Sequence, residues 1–99
     1  MVDLARVNGI EVVLASIPPA ASFGWRPELR PAPTIAKLNA WLRAYAAMQG
    51  LRYVDYYSAL AGTAGVFPAE LSNDGVHPNR KGYAIMRRMA EAAFASKAR

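Results

Sequence analysis

Residues 10–17 constrain the fold of this chain more than any other segment. They read Ile-Glu-Val-Val-Leu-Ala-Ser-Ile, a nearly continuous apolar run rich in β-branched side chains. Such a run is typical of a buried strand in a parallel sheet, where helices cover both faces. Gly9 precedes the run and Pro18-Pro19 follow it. We therefore expect a strand with a sharp boundary at each end.

Helical patterns lie on both sides of this strand. Residues 2–8 are predicted to form the last turns of a helix that ends at Gly9. A second helix is predicted from Thr34 to Gly50, and a third from about Asn79, which would be its N-cap. We expect the apolar side chains at helical spacing to pack in the core: Ile35, Leu38, Trp41, Leu42, Tyr45 and Met48 in the second helix, and Tyr83, Met86, Met89, Ala90, Ala93 and Phe94 in the third.

The order of these elements predicts the fold class. A short strand over 52–56 follows the second helix, and a loop is expected over 58–74. Helix, strand, helix, strand, helix predicts an α/β fold with parallel strands joined by right-handed crossover helices. A sheet usually needs three or more strands for independent stability. We therefore expect residues 1–99 to form a single, incomplete domain whose apolar strand edge favours strand swapping or the addition of a partner.

The segment Asn73-Asp74-Gly75-Val76-His77-Pro78 contains the only histidine of the chain. Asp74 lies three residues before His77, so its carboxylate can accept the Nδ1–H of the imidazole. That bond would fix the tautomer and leave Nε2 free to take a proton from a hydroxyl nucleophile. Two alternatives stay open: His77 is an ordinary loop residue, and Asp74 serves the turn, since Asn-Asp-Gly strongly favours turns.

The composition argues against several other kinds of site. The chain has no cysteine and one histidine, and it lacks phosphate-loop and dinucleotide-binding glycine patterns. We therefore expect no metal and no cofactor. The formal net charge is +5, but the basic residues accompany no known nucleic-acid-binding motif, so no nucleic-acid partner is expected. No apolar run is long enough to cross a bilayer, so we expect no membrane span.

Three segments resemble the C-terminal half of the SGNH (GDSL-type) hydrolases, a family of serine esterases and acylhydrolases. Residues 74–79 with Gly82-Tyr83 look like the family's last block, in which Asp-x-x-His-Pro opens the final helix. Residues 9–19 resemble the strand that enters the active-site loop, and residues 51–58 resemble the strand that leads towards the histidine. The resemblance implies a partial flavodoxin-like three-layer α/β/α fold, with parallel strands and crossover helices, whose N-terminal half is missing.

The resemblance also implies a reaction and two catalytic residues. A serine would attack a small-molecule acyl or acetyl ester, with His77 as general base and Asp74 as its orienting carboxylate. The family's Gly-Asp-Ser block and the glycine and asparagine of its oxyanion hole are not found in this sequence. We therefore expect a complementing N-terminal half or a second copy as partner. None of the serines that the chain does contain lies in a glycine-flanked strand-to-helix turn, the geometry that exposes a nucleophilic oxygen: Ser16, Ser22, Ser58, Ser72 and Ser96.

Four residues are candidates for substrate binding. Ser16 ends the first strand, and Phe23, Trp25 and Arg26 lie on the long proline-rich loop over 20–33. In the family this region comes near the rim of the active site. The alternative for the aromatic residues is that they anchor the loop to the domain.

Overall fold

The computed structural model of the chain describes residues 1–26 and 28–95. The predicted order of helix, strand, helix, strand, helix is confirmed. Two short elements add to it, and both lie in or next to the segment that was predicted to be a loop. The elements in chain order are α1 (Val2–Val7), β1 (Val13–Ala15), α2 (Pro31–Gln49), β2 (Arg52–Val54), α3 (Tyr56–Leu60), a 3-10 turn (Thr63–Gly65) and α4 (Arg80–Ala95).

The two strands pair in parallel, as predicted. Val13 lies opposite Arg52, and Ala15 lies opposite Val54. The strand predicted over 10–17 is observed only over Val13–Ala15. At its C-terminal end, the backbone of Ile17 has other partners. The N–H of Ile17 donates to the side-chain oxygen of Asn39 at 2.7 Å, and its carbonyl accepts from the Asn39 amide nitrogen at 3.0 Å. The carboxamide of a helix residue thus replaces the strand partner at this end of β1.

The buried face of α2 differs from the prediction. Ile35, Asn39 and Ala46 are buried, which places the packed stripe along spacings of four and seven. Trp41 instead stacks on Tyr45 at the surface, with ring centroids 5.2 Å apart. The prediction of core positions was therefore wrong for several large apolar residues, which are exposed in both long helices: Leu38, Trp41, Met48, Tyr83 and Phe94.

A small core lies between the helices and the sheet. Leu60, at the end of α3, has no exposed surface, and Phe67 is 3% exposed. Both α2 and α4 contact β2, and α3 contacts α4. Among the described residues, the buried apolar side chains also include Val2, Pro19, Ala20, Ile35, Ala46 and Val54. No helix among the described residues is long and apolar enough to cross a bilayer.

The start of α4 is fixed by a predicted cap and by a close approach. Asn79 is the N-cap, as expected, because its side-chain oxygen accepts the N–H of Gly82 at 3.0 Å. Gly82 is buried against the segment that precedes the helix. A Cβ at this position would lie 2.7 Å from the carbonyl oxygen of Leu71 and 2.9 Å from the Cβ of Pro78. Only glycine allows the first turn of α4 to come this close.

Candidate active site

Asp74 and His77 lie on a loop over residues 72–78, here called the dyad loop. Its ends are held together by an antiparallel bridge between Ser72 and Pro78. Gly75 has a φ of 79°, a left-handed conformation that side chains with a Cβ rarely adopt. The sharp turn at this glycine brings His77 back towards Asp74.

The carboxylate of Asp74 is hydrogen-bonded on both oxygens. Its Oδ1 accepts the N–H groups of Val76 at 2.9 Å and of His77 at 2.8 Å. Its Oδ2 lies 2.7 Å from Nδ1 of His77. The His77 backbone N–H, the His77 ring and the Val76 N–H together hold the pKa of the Asp74 carboxyl far below its usual range. Asp74 therefore stays a carboxylate beside the ring at any pH near neutral.

The imidazole of His77 is open to solvent and, within the described residues, bonded on one side only. The carboxylate of Asp74 faces Nδ1, so the ring presents Nε2 away from the dyad loop. The His77 side chain is 68% exposed. No serine hydroxyl in the described part of the chain hydrogen-bonds to Nε2. The hydrogen bond expected from the sequence is present, whereas the catalytic role of the pair stays a prediction.

Ser72 is a part of this site that the sequence did not reveal. It is 3% exposed, and its hydroxyl accepts the N–H of Gly75 at 2.9 Å. The same hydroxyl donates to the carbonyl of His77 at 2.7 Å and lies 3.2 Å from Oδ1 of Asp74. Serine is common in loops, so only its burial and these contacts distinguish Ser72 from the other serines.

The dyad loop is joined to the helix behind it through Asn79. The Asn79 backbone N–H donates to the carbonyl of Leu71 at 2.7 Å, and its side-chain nitrogen donates to the carbonyl of Glu70 at 2.9 Å. With the cap to Gly82, this one residue ties α4 to the segment before the loop. The hydrogen bonds of Asn79 thus hold the dyad loop, which carries Asp74 and His77, against the start of α4.

Ser16 is placed differently from the expectation that it contacts substrate. It is 3% exposed, and its hydroxyl donates to Oδ1 of Asp55 at 3.1 Å and accepts the N–H of Tyr57 at 2.8 Å. Burial alone would raise the pKa of Asp55, but hydrogen bonds from Ser58 and Ser16 and the charge of Arg43 outweigh it and lower the pKa. The Ser16 hydroxyl is engaged inside the fold, where it joins the end of β1 to α3.

Phe23, Trp25 and Arg26 lie together on one tight turn. The rings of Phe23 and Trp25 stack with centroids 5.1 Å apart, and Arg26 pairs with Glu28 at 2.6 Å. Trp25 is 65% exposed, so one side of the stack is open to solvent. Phe23 also lines an apolar groove of about 360 Å³ at the start of α2. The turn offers an aromatic surface next to an ion pair.

The other serines have their own positions. Ser58 is bonded to Oδ2 of Asp55 at 2.6 Å, Ser22 lies exposed on the proline-rich loop, and Ser96 lies outside the described residues. Within residues 1–26 and 28–95, no three or more His, Cys, Asp or Glu side chains come together in a way that could hold a metal ion. The dyad loop is therefore the candidate site.

Known proteins resemble this chain along nearly its whole length. The sequence matches the GDSL-like Lipase/Acylhydrolase family over residues 1–85. A crystal structure of a proposed acylhydrolase from Bacteroides fragilis superposes with a TM-score of 0.92 at 41% identity, over 99% of this chain and 48% of the other. A GDSL-like lipase from Bacteroides thetaiotaomicron gives a TM-score of 0.90 at 38% identity, over 96% of this chain and 47% of the other. The chain spans about half the length of these two structures. No curated protein matches it.

Proposed function

This chain belongs to the GDSL-like lipase/acylhydrolase family, and from that premise we propose that it supplies the acid–base half of a serine hydrolase site for carboxylic esters. The observation that supports the proposal most directly is the 2.7 Å contact between Nδ1 of His77 and Oδ2 of Asp74. A carboxylate in this position selects the tautomer whose Nε2 can accept a proton. Ester cleavage is supported as the reaction by the family match and by the α/β fold that the chain shares with a proposed acylhydrolase and a GDSL-like lipase.

In the proposed reaction, a serine hydroxyl attacks the ester carbonyl while Nε2 of His77 takes its proton. The tetrahedral intermediate collapses, the C–O bond to the alcohol breaks, and the proton passes from His77 to the leaving alkoxide. Water then attacks the acyl-serine with His77 again as base, which releases the carboxylic acid and restores the serine. Asp74 remains ionised throughout and stabilises the imidazolium.

The nucleophile in this proposal comes from outside these 99 residues. Ser16 and Ser72 are buried and hydrogen-bonded, and Ser58 is bonded to Asp55. The chain spans about half of its solved relatives, so residues 1–99 would be one part of a single domain. A base without a nucleophile and oxyanion donors loses most of the rate enhancement, so we expect little or no esterase activity from the chain alone.

The turn with Phe23, Trp25 and Arg26 is the proposed substrate contact of this chain. Its stacked rings offer an exposed apolar surface, and the Arg26–Glu28 pair offers polar atoms beside it. Ser16 would act as a structural residue, because both hydrogen bonds of its hydroxyl are made to other residues of the fold, Asp55 and Tyr57. The substrate class proposed is a small-molecule acyl or acetyl ester.

A complementation experiment tests the function. The chain is mixed with the half of the Bacteroides fragilis relative that it does not cover, and hydrolysis of p-nitrophenyl acetate is measured. We expect turnover only from the mixture, and a His77→Gln chain should lower kcat by about 10²–10⁴-fold, the usual contribution of a general base. The exposed Lys81→Ala chain serves as the matched control, because Lys81 lies four residues from His77 on the outside of α4.

Two results would contradict the proposal. Turnover by the chain alone that depends on His77 would show that the nucleophile lies within these residues. Turnover by the mixture that His77→Gln leaves unchanged would show that His77 is not the base.

A second candidate is a fragment without catalytic function that assembles through the sheet. The two-stranded sheet supports it: in the described residues β1 pairs with β2 alone, and the addition of a strand from another chain would enlarge a sheet that is small for independent stability. Light scattering at several protein concentrations distinguishes the two candidates. A mass that rises with concentration favours self-assembly, and a constant monomer mass counts against it.

A further inference from the structure

We propose that Ser72 is a positioning residue for the Asp74–His77 pair, and that one buried hydroxyl holds both partners in place. The inference rests on the function proposed for His77 and adds a residue that touches neither the ester nor the nucleophile. It follows from three hydrogen-bond contacts and from the burial of Ser72.

The Ser72 hydroxyl lies inside the dyad loop and contacts three of its residues. It accepts the N–H of Gly75 at 2.9 Å and donates to the carbonyl of His77 at 2.7 Å. The hydroxyl oxygen also lies 3.2 Å from Oδ1 of Asp74, a longer and weaker contact. One hydroxyl therefore joins the turn glycine, the carboxylate and the base.

These contacts fix the orientation of both partners. The backbone N–H of His77 donates to Asp74, and the backbone carbonyl of His77 accepts from Ser72. The backbone is therefore fixed on each side of His77. Oδ1 of Asp74 accepts from two backbone N–H groups and faces the Ser72 hydroxyl, which directs Oδ2 at the imidazole. Removal of the hydroxyl frees the His77 carbonyl and weakens the hold on the carboxylate.

Because Ser72 is buried, water cannot take over the hydrogen bonds that its hydroxyl makes. Ser72 is 3% exposed, whereas the side chains of His77 and Asp74 are 68% and 51% exposed. Water can solvate the outer side of the dyad, but it does not reach the inner side where Ser72 lies. An alanine at position 72 would leave the Gly75 N–H without a partner, which carries a desolvation cost.

The test uses the fact that His77 is the only histidine of the chain. In the 15N-labelled chain, the two ring nitrogens of His77 report which tautomer is present, without overlap from other residues. We expect the Nδ1–H tautomer to dominate among the neutral rings of the unmodified chain, because Oδ2 of Asp74 faces Nδ1. In Ser72→Ala, the ratio of this tautomer to the other should fall about fivefold, the effect of losing one hydrogen bond.

Ser58→Ala is the matched control. Ser58 also donates its hydroxyl to a carboxylate, at 2.6 Å from Oδ2 of Asp55, but it lies outside the dyad loop. The Ser58→Ala substitution should leave the tautomer ratio of His77 unchanged. An unchanged ratio in folded Ser72→Ala, or an equal fall in Ser58→Ala, would overturn the proposal.

A second measurement covers the case in which Ser72→Ala does not fold. A hydroxyl proton that is buried and hydrogen-bonded exchanges slowly with water, so the Ser72 hydroxyl proton should be visible in the unmodified chain, with a nuclear Overhauser effect to the Gly75 amide. Its absence at low temperature would overturn the proposal. Neither measurement needs turnover, so a failure of the positioning role is separate from a failure of the complementation experiment.

Discussion

Gly82→Ala tests the packing between α4 and the dyad loop. In an ordinary helix this change is favourable, because alanine stabilises a helix by about 1 kcal/mol relative to glycine. Here the new methyl group would meet the carbonyl oxygen of Leu71 at 2.7 Å and the ring of Pro78 at 2.9 Å. Neither neighbour is the end of a flexible side chain, so the backbone itself must move.

The expected loss of stability in Gly82→Ala follows from the backbone groups that the new methyl group would displace. Insertion of a methyl group into close-packed surroundings costs about 1–3 kcal/mol. The carbonyl of Leu71 also accepts the N–H of Asn79 at 2.7 Å, and a shift that weakens this bond costs about 1 kcal/mol more. After subtraction of the gain in helix propensity, we expect the free energy of unfolding to fall by about 1–3 kcal/mol.

Urea unfolding followed by far-UV circular dichroism measures this change. Ala84→Gly is the control, since Ala84 lies exposed two residues further along the same helix. It should lower the free energy of unfolding by about 1 kcal/mol through helix propensity alone. If Gly82→Ala is as stable as the unmodified chain, or more stable, while the control behaves as expected, the close approach at Gly82 does not exist.

Three further predictions concern the core and the dyad. Asn39→Ala leaves the N–H and carbonyl of Ile17 without their partners, so urea unfolding should show a loss of about 2–4 kcal/mol, and a loss below that of an exposed alanine variant would contradict the role of this carboxamide. Leu60→Ala empties a fully buried site and should cost about 2–5 kcal/mol by the same measurement, whereas a loss near zero would mean that the site is not packed. The pKa of Asp74 is lowered by folding, so its stabilising effect is complete above the unfolded value of about 4 and is lost as the pH falls below it. The stability difference between the unmodified chain and Asp74→Asn should therefore be constant above about pH 4 and shrink as the pH falls below that value, and a difference that does not change below about pH 4 would refute the assignment.

The sequence predicted those features that depend on local chemistry. Asn79 was predicted as the N-cap because its type and position before an apolar stripe are characteristic, and it makes the cap bond to Gly82. The contact between Asp74 and Nδ1 of His77 was predicted because a carboxylate three residues before the imidazole, on a turn with a glycine, can reach that nitrogen. The parallel pairing of β1 and β2 followed from the order of the elements.

The features that the sequence missed depend on contacts between distant residues. Asn39 is polar and was not placed in the core, but it is buried because it satisfies the backbone of Ile17, 22 positions away in the chain. Met48 was placed in the core by its spacing, yet it is 80% exposed. Helical spacing defines two possible apolar faces on α2, and only the position of the sheet decides between them. Ser72 was not distinguished from the other serines, because its burial rather than its residue type sets it apart.

The hydrogen bonds of the dyad loop join residues only two to five positions apart. Such short-range contacts close small loops, for which the entropic cost of closure is lower than for long ones. The contact between Nδ1 of His77 and Oδ2 of Asp74 is consequently made within one short segment of the chain. In the proposed function, a docking partner would therefore meet an imidazole whose orientation is already set by its own segment of the chain.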